Sequence, residues 1–499
     1  MKVEQSHNRR RWFFRVSLVA SLAVTGCIAR PFMHLWQTNS TDVDRRQQLS
    51  EAVLDDASKL NQTQVAEVWP IPVNVGDAER QLSMLLARAK SEGLKVSIGG
   101  ARHSMGGHTM YPGGIAINML PLNRMWLDSS RNLLHVGAGA LWRDVIPYLD
   151  AHGLSVSVMQ SNNSFSVGGS ISVNCHGWQF NRPPIASTVE SLRVMKANGV
   201  IVRCSREENQ ELFSLVLGGY GLFGIILDVQ LRVVPNGRYR LEQHIVPVDE
   251  SLATFNDKVK ERVGAQMVYG RLNVTPDQMF REVIINAFFE EEGPPPPLTD
   301  RKYVSLRRAI FRGSVGSDYG KDLRWRAETK LQPLLAGKVF SRNQLLNEGV
   351  ELFQNRSAES TDILHEYFVP GDRVAIFVER MRQVILDHDA DLLNVTVRDV
   401  QEDRDTFLRY ADQPMLAFVM LFNQPKTESG ESRMQTTTRQ LIDAALAVGG
   451  RYYLPYRLHA TARQFHLAYP QAMKFFELKL KYDPDELFQN KFYRKYSGR

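Results

Sequence analysis

No run of eighteen or more apolar residues occurs in this 499-residue chain, which excludes an ordinary membrane-spanning helix. Cysteine is nearly absent, with three in the chain. No CxxC pair and no Cys/His grouping has metal-ligand spacing, so no metal site is expected. Cys175 and Cys204 sit in apolar, strand-like sequence and are expected as free buried thiols rather than a disulfide. Internal repeats are missing as well. The formal charge of +7 gives little support for a nucleic-acid partner. Lys2, Arg9, Arg10, Arg11 and Arg15 stand against Glu4 in residues 1–26, a net +4. Elsewhere there is no basic patch with interleaved aromatics.

What is present begins with that N-terminus. Arg9–Arg15 is followed by Val16–Gly26, an apolar run of eleven residues, too short to span but suited to an export signal over residues 1–26. Val24-Thr25-Gly26-Cys27 resembles the lipobox of bacterial lipoproteins. Arg10-Arg11-Trp12-Phe13-Phe14-Arg15 resembles the twin-arginine pattern, and a basic Sec signal is the alternative. Either route implies an exported protein on the periplasmic side, anchored to the membrane by lipid or by the signal segment. Residues 27–60 are polar and charged, expected as a tether with one helix around Asp42–Leu60.

From residue 61 the pattern alternates β and α. Asp77–Ser91 carries Leu82, Leu85, Leu86 and Ala89 at helical spacing. Val189–Ala197 and Val200–Arg203 read as a hairpin around Asn198-Gly199. Beyond Pro235 a second unit shows strand-like runs at Met267–Asn273, Glu282–Phe289, His365–Val369, Leu392–Arg398 and Pro414–Phe422. Residues 301–360 are basic and helical in pattern, open to reading as a lid, an interaction face or surface helices, the last being preferred.

Two glycine-rich blocks carry the chemistry. Gly99-Gly100-Ala101-Arg102-His103-Ser104 and Ser166-Val167-Gly168-Gly169-Ser170-Ile171-Ser172 each follow an apolar, strand-like run, Leu94–Ile98 and Leu154–Met159. Glycines beside small hydroxyl residues let backbone amides close on an anion. Two such loops suit a ligand with two phosphates. Together with Gly218-Gly219-Tyr220-Gly221-Leu222-Phe223-Gly224-Ile225-Ile226, they resemble the FAD-binding domain of the vanillyl-alcohol oxidase/PCMH flavoproteins. The resemblance implies an α+β fold. A two-subdomain FAD-binding domain over residues 61–236 would be followed by an α+β substrate (cap) domain on an antiparallel sheet over 237–455. The segment 456–499 would return to the FAD domain.

The same resemblance implies FAD as cofactor. Gly99, Gly100, Ala101 and Arg102 would cradle the pyrophosphate, and His103 would occupy the position of the covalent flavin histidine, with Ser104 beside it. The alternative for His103 is a hydrogen bond within the loop. Ser166, Gly168, Gly169 and Ser172 would close on phosphate and ribityl oxygens, and Ser161 would belong to the same cofactor site. His176 would follow the second loop as in sugar-lactone oxidases, and Ile225 would make a backbone contact.

The chain also departs from the family. Ser161 stands where cytokinin dehydrogenases have an aspartate, and no His-Trp-Gly-Lys motif closes the chain. On Asn394-Val395-Thr396-Val397-Arg398, alternation puts Thr396 and Arg398 on one strand face. That strand resembles the one that presents an acid and an arginine to substrate in alditol oxidases. Arg398, Thr396 and His459 are therefore the expected catalytic residues, with His365-Glu366-Tyr367 a further source of a base. The expected reaction moves hydride from the CH–OH group of a polyol or sugar to flavin, with O2 or another electron acceptor closing the cycle. The alternatives are oxidation of a CH–NH substrate, and a lipid-anchored flavin-binding protein without turnover.

Overall fold

The computed structural model describes residues 29–46, 49–330 and 337–498. The expected export signal and Cys27 lie outside them. Chain order begins with helix α1 (residues 29–41) and strands β1 (Val53–Leu54), β2 (Thr63–Gln64) and β3 (Glu67–Pro70). Then come α2 (Val75–Ser91), β4 (Val96–Gly99), β5 (Ile115–Asn118), β6 (Met125–Asp128), β7 (Leu133–Gly137), α3 (Trp142–Asp150) and β8 (Leu154–Val156). The first unit closes with α4 (Val167–Ser172), β9 (Val189–Met195), β10 (Ile201–Ser205), α5 (Gln210–Val216) and β11 (Ile225–Pro235). It holds a parallel sheet, β3-β5-β4, and an antiparallel one, β10-β9-β11-β7-β6, with β8 on β11.

Local chemistry explains these elements. Asn74 caps α2 by accepting from the Asp77 amide, and Ala78, Leu82, Leu85, Leu86 and Ala89 are its buried face. The β9–β10 hairpin turns at Asn198-Gly199, where Gly199 has φ +79°.

The second unit runs β12 (Arg238–Pro247), α6 (Ser251–Phe255), β13 (Ala265–Leu272), β14 (Glu282–Glu290), α7 (Val304–Arg312), α8 (Asp318–Lys330), β15 (Val339–Ser341) and α9 (Arg342–Leu346). It continues with β16 (Ser360–Pro370), α10 (Val374–Asp387), β17 (Leu392–Val400), β18 (Met415–Pro425), α11 (Glu428–Leu446) and β19 (Arg451–Tyr452). Its strands form one eight-stranded sheet, β15-β12-β14-β13-β17-β18-β16-β19, and every pair in it is antiparallel. The helices α10 and α11 cover one face, where Tyr367 and Phe418 meet Phe377. The other face is turned toward the first unit. Helices α12 (Ala462–Ala468), α13 (Ala472–Tyr482) and α14 (Lys491–Tyr496) end the chain. Between them Phe488 bridges β4 at Val96, with the Val96 amide donating to the Leu487 carbonyl at 2.8 Å.

Three expectations are corrected. No helix spans Asp42–Leu60. The helix lies upstream, as α1, and the described residues of 42–60 are irregular apart from β1. Part of that stretch is structural rather than a tether, because Asp56 is buried and accepts from the Gly107 amide at 2.8 Å and from the Asn61 side chain at 2.7 Å. Those bonds compensate a carboxyl that burial pushes toward higher pKa. Helices α7 and α8, the described helices at the start of 301–360, are not solvated all round. In α7 and α8, Arg308, Lys321 and Arg324 are buried, and Arg308 and Lys321 pair with Asp42 and Asp391. Cys175 and Cys204 are free and buried.

Candidate active site

A cavity of about 1320 Å³ lies between the first unit and the inner face of the eight-stranded sheet. That exceeds the roughly 300–1,000 Å³ of ordinary small-molecule sites. It has room for a dinucleotide-sized ligand and a substrate together.

The wall from the first unit is shaped by glycine. A Cβ on Gly100 would sit 2.0 Å from Ser166 Oγ, and one on Gly168 would sit 2.7 Å from the Ala138 Cβ. Only hydrogen fits at either point; at Gly100 the two blocks close on each other as a seam, and at Gly168 the second block packs on Ala138 just after β7. The Ala101 amide donates to Ser166 Oγ at 3.4 Å, and Arg102 takes φ +53° where the loop turns. Behind the seam, Ser170 ties the second block down by accepting from Trp142 Nε1 and donating to Gln160 Oε1, both at 2.8 Å.

Ala101, Arg102, His103, Ser104, Ser161, Ser166, Gly168, Gly169, Ser172 and His176 line the cavity. Gly99 does not; it ends β4 and its carbonyl accepts from Met119. Ile225 does not either, since strand alternation turns it into the core while Gly224 and Ile226 face the cavity. His103 stacks on Phe165 with ring centroids 4.2 Å apart, and burial lowers its pKa to about 4. The ring is thus neutral at neutral pH.

Orphaned polar atoms test the fit of a cofactor. Arg102 Nε and Nη2, Ser104 Oγ and Thr109 Oγ1 are buried on this wall without a protein partner. Buried donors left so cost free energy unless a ligand completes them. A glycine-lined seam beside such donors fits a dinucleotide diphosphate.

The opposite wall is made of side chains. Alternation on β16 sends Leu364 and Glu366 into the cavity and His365 toward α11. Glu366 meets His176 Nε2 at 2.5 Å and accepts from the Tyr456 hydroxyl at 3.0 Å. Burial alone would raise the Glu366 pKa. The neighbouring His176, the hydrogen bonds and the Arg398 charge outweigh it and hold the carboxyl below its usual range. A carboxylate only accepts, so this contact places a proton on His176 Nε2. Nδ1 is buried and has no protein partner.

Arg398 and Thr396 lie on β17 and line the cavity. Arg398 donates to Ser161 Oγ at 2.6 Å, Trp178 Nε1 donates to the same oxygen at 2.5 Å, and a longer contact of 3.5 Å joins Arg398 to the His176 carbonyl. Ser161 therefore spans the two units rather than only lining the first. Thr396 Oγ1 accepts from Asn394 at 3.1 Å.

His459 is corrected: it is buried behind the sheet, bound to Thr438 at 2.8 Å and to Glu431 at 2.9 Å, and does not line the cavity. Tyr456, Trp178, Arg271, Arg324 and Glu328 are lining residues that pattern reading does not single out. Their only signal is charge and aromaticity scattered over distant segments. The described residues contain no group of His, Cys, Asp or Glu able to hold a metal ion.

Residues 73–205 match the model of an FAD binding domain. The chain is 33% identical over 431 residues to cytokinin dehydrogenase 7 of Oryza sativa subsp. japonica, covering 78% of this chain and 79% of that protein. It is 31% identical to cytokinin dehydrogenase 4 of the same plant, covering 83% of each. With L-gulonolactone oxidase of Mus musculus it shares 32% identity over 170 residues, 34% of this chain and 38% of that protein. The glycine seam, its orphaned donors and these likenesses place the chain in the FAD-linked oxidase family, as an FAD-dependent oxidoreductase.

Proposed function

We propose that this protein oxidises the CH–OH group of a small polar alcohol, such as a polyol or sugar. The observation that carries the reading is the buried Glu366–His176 pair opening beside Arg398. FAD, when bound, supplies the hydride acceptor. The chain's own residues do the proton work. His176 Nδ1 takes the hydroxyl proton, and Glu366 keeps the ring in the correct tautomer and stabilises the imidazolium. The Arg398 guanidinium faces the negative charge that grows on the substrate oxygen. Tyr456 donates to Glu366 and fixes its orientation, while Thr396 offers a hydroxyl from the same strand face as Arg398.

Gly100, Ser166, Gly168 and Gly169 would hold the cofactor's diphosphate, and His103 would hold the flavin covalently through a ring nitrogen. The neutral, stacked state of His103 supports this, because an unprotonated nitrogen is the form that makes such a bond. The sequence features of residues 1–27 support export and lipid anchorage.

A second reading, oxidation of a CH–NH group, is favoured by the likeness to cytokinin dehydrogenases along most of the chain. An anaerobic substrate screen that follows bleaching of the flavin absorbance separates the two. Bleaching by alcohols is expected. Bleaching by amines with none by alcohols overturns the proposal, and a yellow protein that nothing reduces points to binding without turnover.

A further inference from the structure

The charge on the cap wall bears on the substrate. On the cap side Arg271, Arg301, Arg307, Arg324 and Arg398 line the cavity with the carboxylates Glu328, Glu348, Asp362 and Glu366, of which Asp362 pairs with Arg312 and Glu366 with His176. Glu348 pairs with Arg307 at 2.6 Å. Glu328 is shared, accepting from Arg271 at 2.9 Å and from Arg324 Nε at 2.9 Å. One carboxylate between two guanidinium groups leaves a positive charge in a confined space, where water screens it poorly.

The two arginines of the triad are not equivalent. Arg324 is nearly spent, donating also to the Leu393 carbonyl and to Asn394 Oδ1. Arg271 spends Nε and one terminal nitrogen on Glu328. Its other terminal nitrogen has no hydrogen-bond partner among the described residues. Arg398 hydrogen-bonds only to neutral oxygens, has the Glu366 carboxylate within its field, and keeps a buried, unpartnered Nε.

Register brings these two together. Arg271 on β13 stands opposite Thr396 on β17, so Arg398, two residues along, is its diagonal neighbour. Diagonal residues on adjacent antiparallel strands are about 7–8 Å apart and share a face. Both side chains line the cavity, the Arg271 head tied to Glu328 and the Arg398 head to Ser161, and an anion between them would complete the spare donors of both. The diphosphate cradle lies on the other wall, so the cofactor's phosphates do not account for them. A planar guanidinium fork matches a carboxylate in charge and geometry.

We infer that the substrate carries a carboxylate, held by Arg271 on the cap wall while its hydroxyl-bearing carbon lies toward Arg398 and His176. This narrows the substrate class to hydroxy acids, sugar acids among them, and it rests on the alcohol-oxidation reading above.

The test is titration of the flavin-loaded protein, without oxygen, with matched pairs that differ in one end group. The pairs are glycolate and ethylene glycol, lactate and propane-1,2-diol, and gluconate and glucitol. Binding is read from perturbation of the flavin absorbance, and reduction from its bleaching. The acid member of at least one pair is expected to bind ten-fold or more tightly than its alcohol. Arg271→Met should remove that preference and Arg271→Lys should restore part of it. If no acid binds more tightly than its alcohol in any pair, the carboxylate site is overturned, whatever the variants do. Tight acid binding without bleaching keeps the carboxylate site and counts against alcohol oxidation. Bleaching by the diols with no advantage for the acids does the reverse. Should Arg271→Met fail to fold or lose its flavin, the wild-type pairs decide alone.

Discussion

The two walls of the cavity are built on different physical terms. The first-unit wall is largely backbone: glycines pressed against Ser166 and Ala138, with orphaned donors around a seam where even a methyl group does not fit. The cap wall is side chain: Glu366, which reaches across to His176 of the first unit, a row of arginines and a shared glutamate on strands and helices far apart in sequence. A backbone wall tolerates no added volume and little change in ligand. A side-chain wall can be re-lettered without moving the sheet beneath it. One fold can therefore keep a cofactor while its cap changes substrate.

That division can be broken by experiment. The largest effect is expected at the seam. Gly100→Val forces atoms into Ser166 and should abolish flavin content, read as the ratio of flavin to protein absorbance. The overpacking itself costs about 1–3 kcal/mol. If the variant keeps full flavin, the seam is not the cradle.

Next in size is His176→Asn, expected to slow flavin reduction by roughly 10²–10⁴-fold, the usual worth of a general base, while flavin content stays unchanged. Loss of the flavin along with activity would merge the two walls into one.

His103→Ala should alter retention rather than chemistry. Acid precipitation should leave colour in the wild-type pellet and release it from the variant. Colour released from both would reduce His103 to a loop residue.

The smallest effect concerns Glu366. Its carboxyl is held below 4.5 in the folded chain. Its contribution to stability is therefore complete above the unfolded value and lost as pH falls through the lower folded one. Glu366→Gln should make the fall of Tm below pH 4.5 shallower by about 2 °C, measured as the difference from wild type. A steeper fall in the variant would contradict the assignment.

Legibility in the sequence follows the same division. The two glycine blocks each sit within a few consecutive residues, so short-range pattern was enough to find them. The helix Val75–Ser91 and the Asn198-Gly199 hairpin were legible for the same reason. The relay was not. His176 and Glu366 are 190 residues apart and meet only because β16 faces the first unit. The tripeptide His365-Glu366-Tyr367 drew notice as a source of a base. Sequence did not say which of the three enters the cavity, because a period of two gives opposite faces without saying which is inward. Packing against α10 and α11 decided it, sending His365 to Thr438 and leaving Glu366 at the site. The same packing removed His459, whose ring is spent on Thr438 and Glu431. Helices α7 and α8 look like surface helices from composition, because their arginines read as solvated until the carboxylates that pair with them are known.

By itself the sequence determined the cofactor class, since glycine at fixed spacing is a statement about backbone approach that no distant residue can alter. The tertiary structure alone decided the chemistry facing that cofactor. The His176 imidazole, the Glu366 carboxylate and the Arg398 guanidinium come together only through burial and through contacts between segments that the linear order keeps apart.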